Sequence, residues 1–147
     1  MMNDEVRTKL SVCGLDCTRC VDYENGEIKS LSARLADLLS GYERVAKLKS
    51  VNNPFFKEYP LFLEFLHHFT QGSCGGCRSD NLRCPIECNA KTCHRQHRVD
   101  FCFECKEYPC DTQFEGKTRE RWLERNNRMK EIGVKNYYLE QSKLSRY

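Results

Sequence analysis

Along residues 27–51 the apolar positions Leu31, Leu35, Leu38, Tyr42 and Val45 recur at steps of four, three, four and three. That spacing puts them on one side of a 3.6-residue turn and predicts an amphipathic helix over 27–51. Arg34, Asp37, Glu43, Arg44 and Lys47 fill its other faces, and Gly41 weakens its interior. The turn signal Asn25-Gly26 precedes it and Asn52-Asn53-Pro54 ends it. A second helix is predicted over 59–70, with Pro60 in its first turn and Leu61, Phe62, Phe65, Leu66 and Phe69 as its apolar set. From Cys74 to Cys110 periodicity fades and Gly75, Gly76, Pro85 and Pro109 punctuate the chain, leaving room for one short helix over 87–94. Helical patterning returns over 117–131, where Glu124 and Arg128 suit an i,i+4 pair and Gly133 suits a C-terminal cap. A last helix over 134–144 carries Val134, Tyr137, Tyr138 and Leu144.

The pattern predicts a mostly α protein, a small helical domain around an irregular cysteine-rich metal-binding centre. Its single domain has four stretches: an N-terminal cysteine cluster (1–26), a helical part (27–72), a cysteine-rich metal-binding part (73–111) and C-terminal helices (112–147). Composition sharpens this picture. Only 39% of the 147 residues are hydrophobic and 31% are charged, with a mean hydropathy of −0.72. Ordering a residue costs about 1.5 kcal/mol of conformational entropy, so a core this lean leaves little net stability. A thiolate zinc site contributes roughly 10–16 kcal/mol of apparent binding free energy to folding. The cysteine-rich part is therefore expected to depend on metal.

Eleven cysteines supply the ligands. Cys13, Cys17 and Cys20 form one cluster; after 53 residues come Cys74, Cys77, Cys84, Cys88, Cys93, Cys102, Cys105 and Cys110. Three Cys-x-x-Cys pairs stand among them (17/20, 74/77 and 102/105), the spacing at which one tight turn aims two sulfurs at one ion. The first cluster needs a fourth ligand from elsewhere, which would tie the N-terminus to the later cluster. Cys74/Cys77 could join Cys102/Cys105 in a ribbon-like site or Cys84/Cys88 in a local one. Eleven cysteines fill two four-sulfur sites with three over, or three sites with one histidine, His94 or His97, added. All eleven are candidate metal ligands, Cys84 and Cys93 the weakest. Zinc, two ions or more, is the expected metal. An iron–sulfur cluster is the alternative, because the Cys-x3-Cys-x2-Cys spacing of 13–20 is also that of radical S-adenosylmethionine enzymes; the barrel that chemistry needs has no counterpart in the helical pattern that follows.

The blander readings account for other residues. A lone cysteine is usually a small buried hydrophobe, but that cannot suit eleven so clustered. His94 and His97, in an Arg- and Gln-bearing stretch, read as surface histidines, and His67 and His68 as helix-surface or interhelical residues. Trp122, Phe114 and Met129 read as core. The basic run from Lys117 to Lys130 is interleaved with Glu120 and Glu124, a solvated face. The chain opens Met1-Met2-Asn3-Asp4-Glu5, with neither a signal peptide nor a transmembrane stretch, so a reduced cytoplasmic setting and no membrane partner are expected. The formal charge of +3 counts every cysteine as neutral. A tetrathiolate zinc carries about two negative charges net, so two sites shift +3 by four, to about −1. Nucleic-acid binding through zinc knuckles, with Phe101 and Phe103 stacking on bases beside Arg95 and Arg98, is disfavoured on that account.

Three motifs together resemble a catalogued family. Cys13-Gly14-Leu15-Asp16-Cys17-x-x-Cys20, Cys74-Gly75-Gly76-Cys77-Arg78 and Cys102-x-x-Cys105-x-x-Tyr108-Pro109-Cys110 are similar to domain of unknown function 3795, as is the ending Arg128-x-Lys130-Glu131-Ile132-Gly133-Val134. Val21 stands where members often carry proline. The resemblance runs from Cys13 to about Tyr138 and implies a metal-binding, cytosolic protein; it supplies no catalytic residue. The ligand spacings are saturated and leave no open catalytic position, so the expectation is a structural metal in a module that binds a protein partner, with a redox or metal-sensing role for Cys13, Cys17 and Cys20 as the alternative.

Overall fold

The computed structural model describes residues 4–147. Seven α-helices run in order: α1 (Asp4–Lys9), α2 (Glu27–Leu38), α3 (Tyr42–Lys49), α4 (Tyr59–Phe69), α5 (Ala90–His97), α6 (Gly116–Ile132) and α7 (Val134–Gln141). Short 3-10 turns at Pro54–Glu58 and Cys102–Glu104 complete the elements. Extended pairing among the described residues is limited to two isolated bridges, Leu10 with Asp16 and Tyr23 with Cys74. The chain is thus a mostly α small domain. No helix among the described residues is long and apolar enough to cross a membrane.

The helix expected over 27–51 is two helices. Gly41 adopts φ +80°, a left-handed conformation that L side chains avoid and that turns α2 into α3. Asn53 caps the next turn, its side chain accepting from Phe55 N at 3.1 Å ahead of Pro54. The C-terminal boundaries fall close to the expected ones: α6 ends at Gly133 (φ +83°), whose N–H bonds the Met129 carbonyl. The short helix expected over 87–94 lies three residues later, as α5. Helix α1 and the 102–104 turn carry too few periodic positions to stand out in the pattern. Arg128 pairs with Glu140 at 2.6 Å and Glu131 at 2.8 Å rather than with Glu124, because α7 folds back along α6 and offers the better-placed carboxylate.

The apolar interior sits outside the 27–70 region. One cluster joins α1, α6 and α7 through Val6, Leu10, Phe101, Met129, Val134 and Tyr137. The other is built of Val12, Ala90 and Trp122 with Cys13, Cys77 and Cys102, so sulfur supplies half of its members. Phe101 is fully buried and stacks against Phe103, 6.0 Å between centroids, which removes it from any base-stacking surface. In the 27–70 lobe, by contrast, only Ser32, Ala46, Tyr59 and Leu66 are buried. Leu31, Leu35, Leu38 and Val45, which the periodicity places on one face, are 41–74% exposed.

Candidate metal centre

The first cysteine segment is shaped by local polar contacts. The buried Asp16 carboxylate accepts from Thr18 N at 3.0 Å, Thr18 Oγ1 at 2.6 Å and Arg19 Nε at 2.8 Å, which fixes the turn between Cys13 and Cys20. Gly14 is required there: its φ is +90° and a Cβ would meet Met129 Cε at 2.8 Å. The chain then leaves for the helical lobe and returns at the Tyr23–Cys74 bridge, where Cys74 N donates to Asp22 O at 2.7 Å and Glu24 N to Cys74 O at 3.0 Å. This bridge carries the second cysteine segment back to the first across those intervening residues.

The eleven cysteines sort onto two cavities. Cys13, Cys17, Cys20, Cys74, Cys77, Cys84 and Cys88 line one of about 530 Å³. Cys93, Cys102, Cys105 and Cys110 line a second of about 310 Å³, together with His94 and His97. The Cys74/Cys77 pair therefore shares a cavity with Cys84/Cys88 and with the N-terminal cluster, and the Cys102/Cys105 pair lies on the other. The sulfurs stand on the walls: among the described residues no three His, Cys, Asp or Glu side chains are gathered closely enough to hold an ion in this conformation.

Backbone donors and cationic side chains meet some of these sulfurs, while burial holds others in the neutral thiol form. Cys74 Sγ accepts from Gly76 N at 3.4 Å and Arg83 N at 3.3 Å, the knuckle pattern that the two glycines permit. Cys13 Sγ lies 3.1 Å from Ser11 Oγ. Cys17 and Cys77 share one titration, in which Cys77 is pulled below the usual thiol range and Cys17 is driven up as it keeps the proton. Burial raises Cys84, Cys88 and Cys93, and pushes Cys102 up to about 12. The Trp122 indole opposes the Cys102 shift; its Nε1 lacks a well-aligned acceptor and lies beside that sulfur. Arg121, Arg125 and Arg146 line the larger cavity and supply the cationic side of its walls. Two of them also hold its frame, Arg125 Nε donating to Cys13 O at 3.3 Å and Arg146 Nε to Asp16 O at 3.0 Å.

Histidine placement differs from expectation at one position. His97 is exposed, but His94 is 93% buried and keeps a buried Nε2 with no hydrogen-bond partner. It lies one residue from Cys93 on α5, so the turn that presents the sulfur also buries the ring. The arginines of the larger cavity and the Trp122–Cys102 contact carry no local signal; they come from α6 and the 142–147 segment, far along the chain from the sulfurs they serve.

No curated protein and no solved structure matches the chain. A family model, described as a protein of unknown function (DUF3795), matches residues 9–115, a span that holds all eleven cysteines and both cavities' sulfur walls. The chain belongs to the DUF3795 family.

Proposed function

We propose that this protein binds metal ions through its two sulfur-lined cavities, that the metal is zinc in a structural role, and that the scaffold so held presents the helical lobe to a protein partner. The sorting of all eleven cysteines, seven to one cavity and four to the other, carries this reading. Unligated thiols left over as packing would scatter through the core. Four sulfurs from 93, 102, 105 and 110 match the donor number of a closed tetrahedral zinc site, which leaves no position for water. Zinc would complete an interior in which cysteines already replace aliphatic side chains. Four thiolates would leave such an ion no open position for water, so the metal's role is cohesion.

A second reading applies to the larger cavity alone. Seven sulfurs, about 530 Å³ and three guanidinium groups exceed what one tetrahedral ion uses and suit an iron–sulfur cluster, whose negative charge the arginines would offset. Elemental analysis of protein purified anaerobically without added metal tests both. Zinc at one or more ions per chain, with a melting temperature that collapses on chelation, is the expected result. Iron with inorganic sulfide and visible absorbance would favour the cluster, and full folding after complete metal removal would exclude the structural role.

A further inference from the structure

The lobe between Gly26 and Gly72 keeps its packing to itself: the principal contacts of α2, α3 and α4 are with one another and with the Pro54–Glu58 turn. Lys29 Nζ donates to Gly72 O at 2.8 Å, which sets the start of α2 beside the end of α4. Tyr42 and Tyr59, 5.1 Å between ring centroids, set the far ends together, so α2 and α4 are antiparallel. Their seam is Ile28, Ser32 and Ala36 on α2 with Leu39 at its C-cap, and Tyr59, Leu63, Leu66 and Thr70 at α4, all buried or half-buried. Leu31, Leu35 and Leu38 each sit one position before a seam residue of α2, and Phe62, Phe65 and Phe69 likewise precede Leu63, Leu66 and Thr70. One position is a rotation of about 100°, in the same sense on both helices. In an antiparallel pair the same sense of rotation brings both stripes to one side. The lobe therefore carries one continuous apolar face across two helices.

That face is exposed. Leu31, Leu35, Leu38, Phe62, Phe65 and Phe69, with Leu61 beside them, are 36–74% accessible. These seven side chains expose on the order of 700 Å², close to the roughly 800 Å² per partner of a standard interface. It is also above the roughly 300–600 Å² of the largest patch on a typical monomer. Residues 27–70 hold five acidic and six basic side chains, a balance that imposes no net repulsion between copies and gives no cationic excess toward an anionic surface. An antiparallel helix pair with one apolar face is half of a four-helix bundle. We propose that two copies of this chain pair through the α2–α4 face, their four helices closing a bundle. The inference rests on the reading of the lobe as an interaction surface and is independent of the metal.

Sedimentation of the full metal-replete chain over micromolar to submillimolar concentration tests it. The expected result is a species of twice the 17.3 kDa chain mass, reduced to the single chain by Leu35→Glu with Phe65→Glu while helical circular dichroism is unchanged. A wild-type chain that stays monomeric, or a dimer indifferent to both substitutions, overturns the proposal; so does a monomer that instead co-sediments with phosphatidylcholine vesicles. If the variants misfold, hydrogen exchange of the wild type decides: slower exchange in 31–38 and 61–69 at high concentration is expected, and concentration-independent exchange there overturns it. Zinc content measured on the same samples reports separately on the metal reading.

Discussion

Arg78 shows how much one side chain outside the sulfur set does for this molecule. Its guanidinium donates to the carbonyls of Arg7, Leu10 and Asp100 and lies 4.9 Å over the Phe101 ring, joining α1, the first cysteine segment and the approach to Cys102. Removing it leaves three carbonyls without that donor and a ring without its cover. Arg78→Met should cost about 2–4 kcal/mol in urea denaturation of the metal-replete protein, with Arg78→Lys recovering only part, because an ammonium lacks the planar fork. Trp122 poses a separable question. Its ring is fully buried, edge-on to Tyr108 at 5.2 Å and Phe114 at 6.2 Å, and its Nε1 lies beside Cys102. Trp122→Phe keeps most of the packing and deletes the N–H. On the metal reading it should weaken metal binding at the smaller cavity by about tenfold or more and leave the larger one unchanged, read by chelator competition. Nothing adjacent in sequence announces either role, since Arg78 looks like one more surface cation and Trp122 like core. The cysteines were legible as a set because their spacing is local; their partition was not, because it depends on the Tyr23–Cys74 bridge.

At the scale of elements, the turn at Gly41 separates what periodicity can say from what it cannot. Steps of four and three run through Leu31, Leu35, Leu38, Tyr42 and Val45 without a break, since a helix–turn–helix of this length keeps the phase of the pattern. The left-handed φ of +80° is what interrupts it, and a glycine inside an apolar repeat signals only a tolerated weakness. A Cβ at Gly41 would meet nothing closer than Arg44 Nη2 at 3.8 Å, so Gly41→Ala isolates the backbone term. The expected loss is about 1–2 kcal/mol of lobe stability, seen as faster amide exchange in residues 27–49. The α6 and α7 boundaries were readable because Gly133 serves both as the cap of one helix and as the start of the next. The same periodicity marks the apolar stripe of α2 and leaves its partner open: amphipathic phase says which residues share a face, and whether that face meets its own chain is a property of the tertiary fold.

Over the whole molecule the two halves obey different physics. The sulfur half, 10–23 with 74–132, has its interior built around cysteines and reaches across the chain through Arg78, Asn126 and Tyr137, whose hydroxyl donates to Gly14 O at 2.9 Å. The lobe has four buried side chains, contacts of its own, and a base fixed by Gly72, where a Cβ would strike Tyr23 O at 2.9 Å. Stripping the metal should therefore not unfold the chain uniformly. On the metal reading, the sulfur half would gain the larger part of its stability from ligation, and without ions its conformational entropy would be opposed by a lean apolar interior alone. Hydrogen exchange before and after chelation, under reducing conditions, should show protection lost across the backbone of α5 and α6 while α2 and α4 change far less. The lobe's protection should respond instead to protein concentration, since its missing burial is intermolecular. If chelation abolished protection in both halves together, the lobe would have to be folded by the sulfur half, and the separation of cohesion by metal from cohesion by pairing would fail.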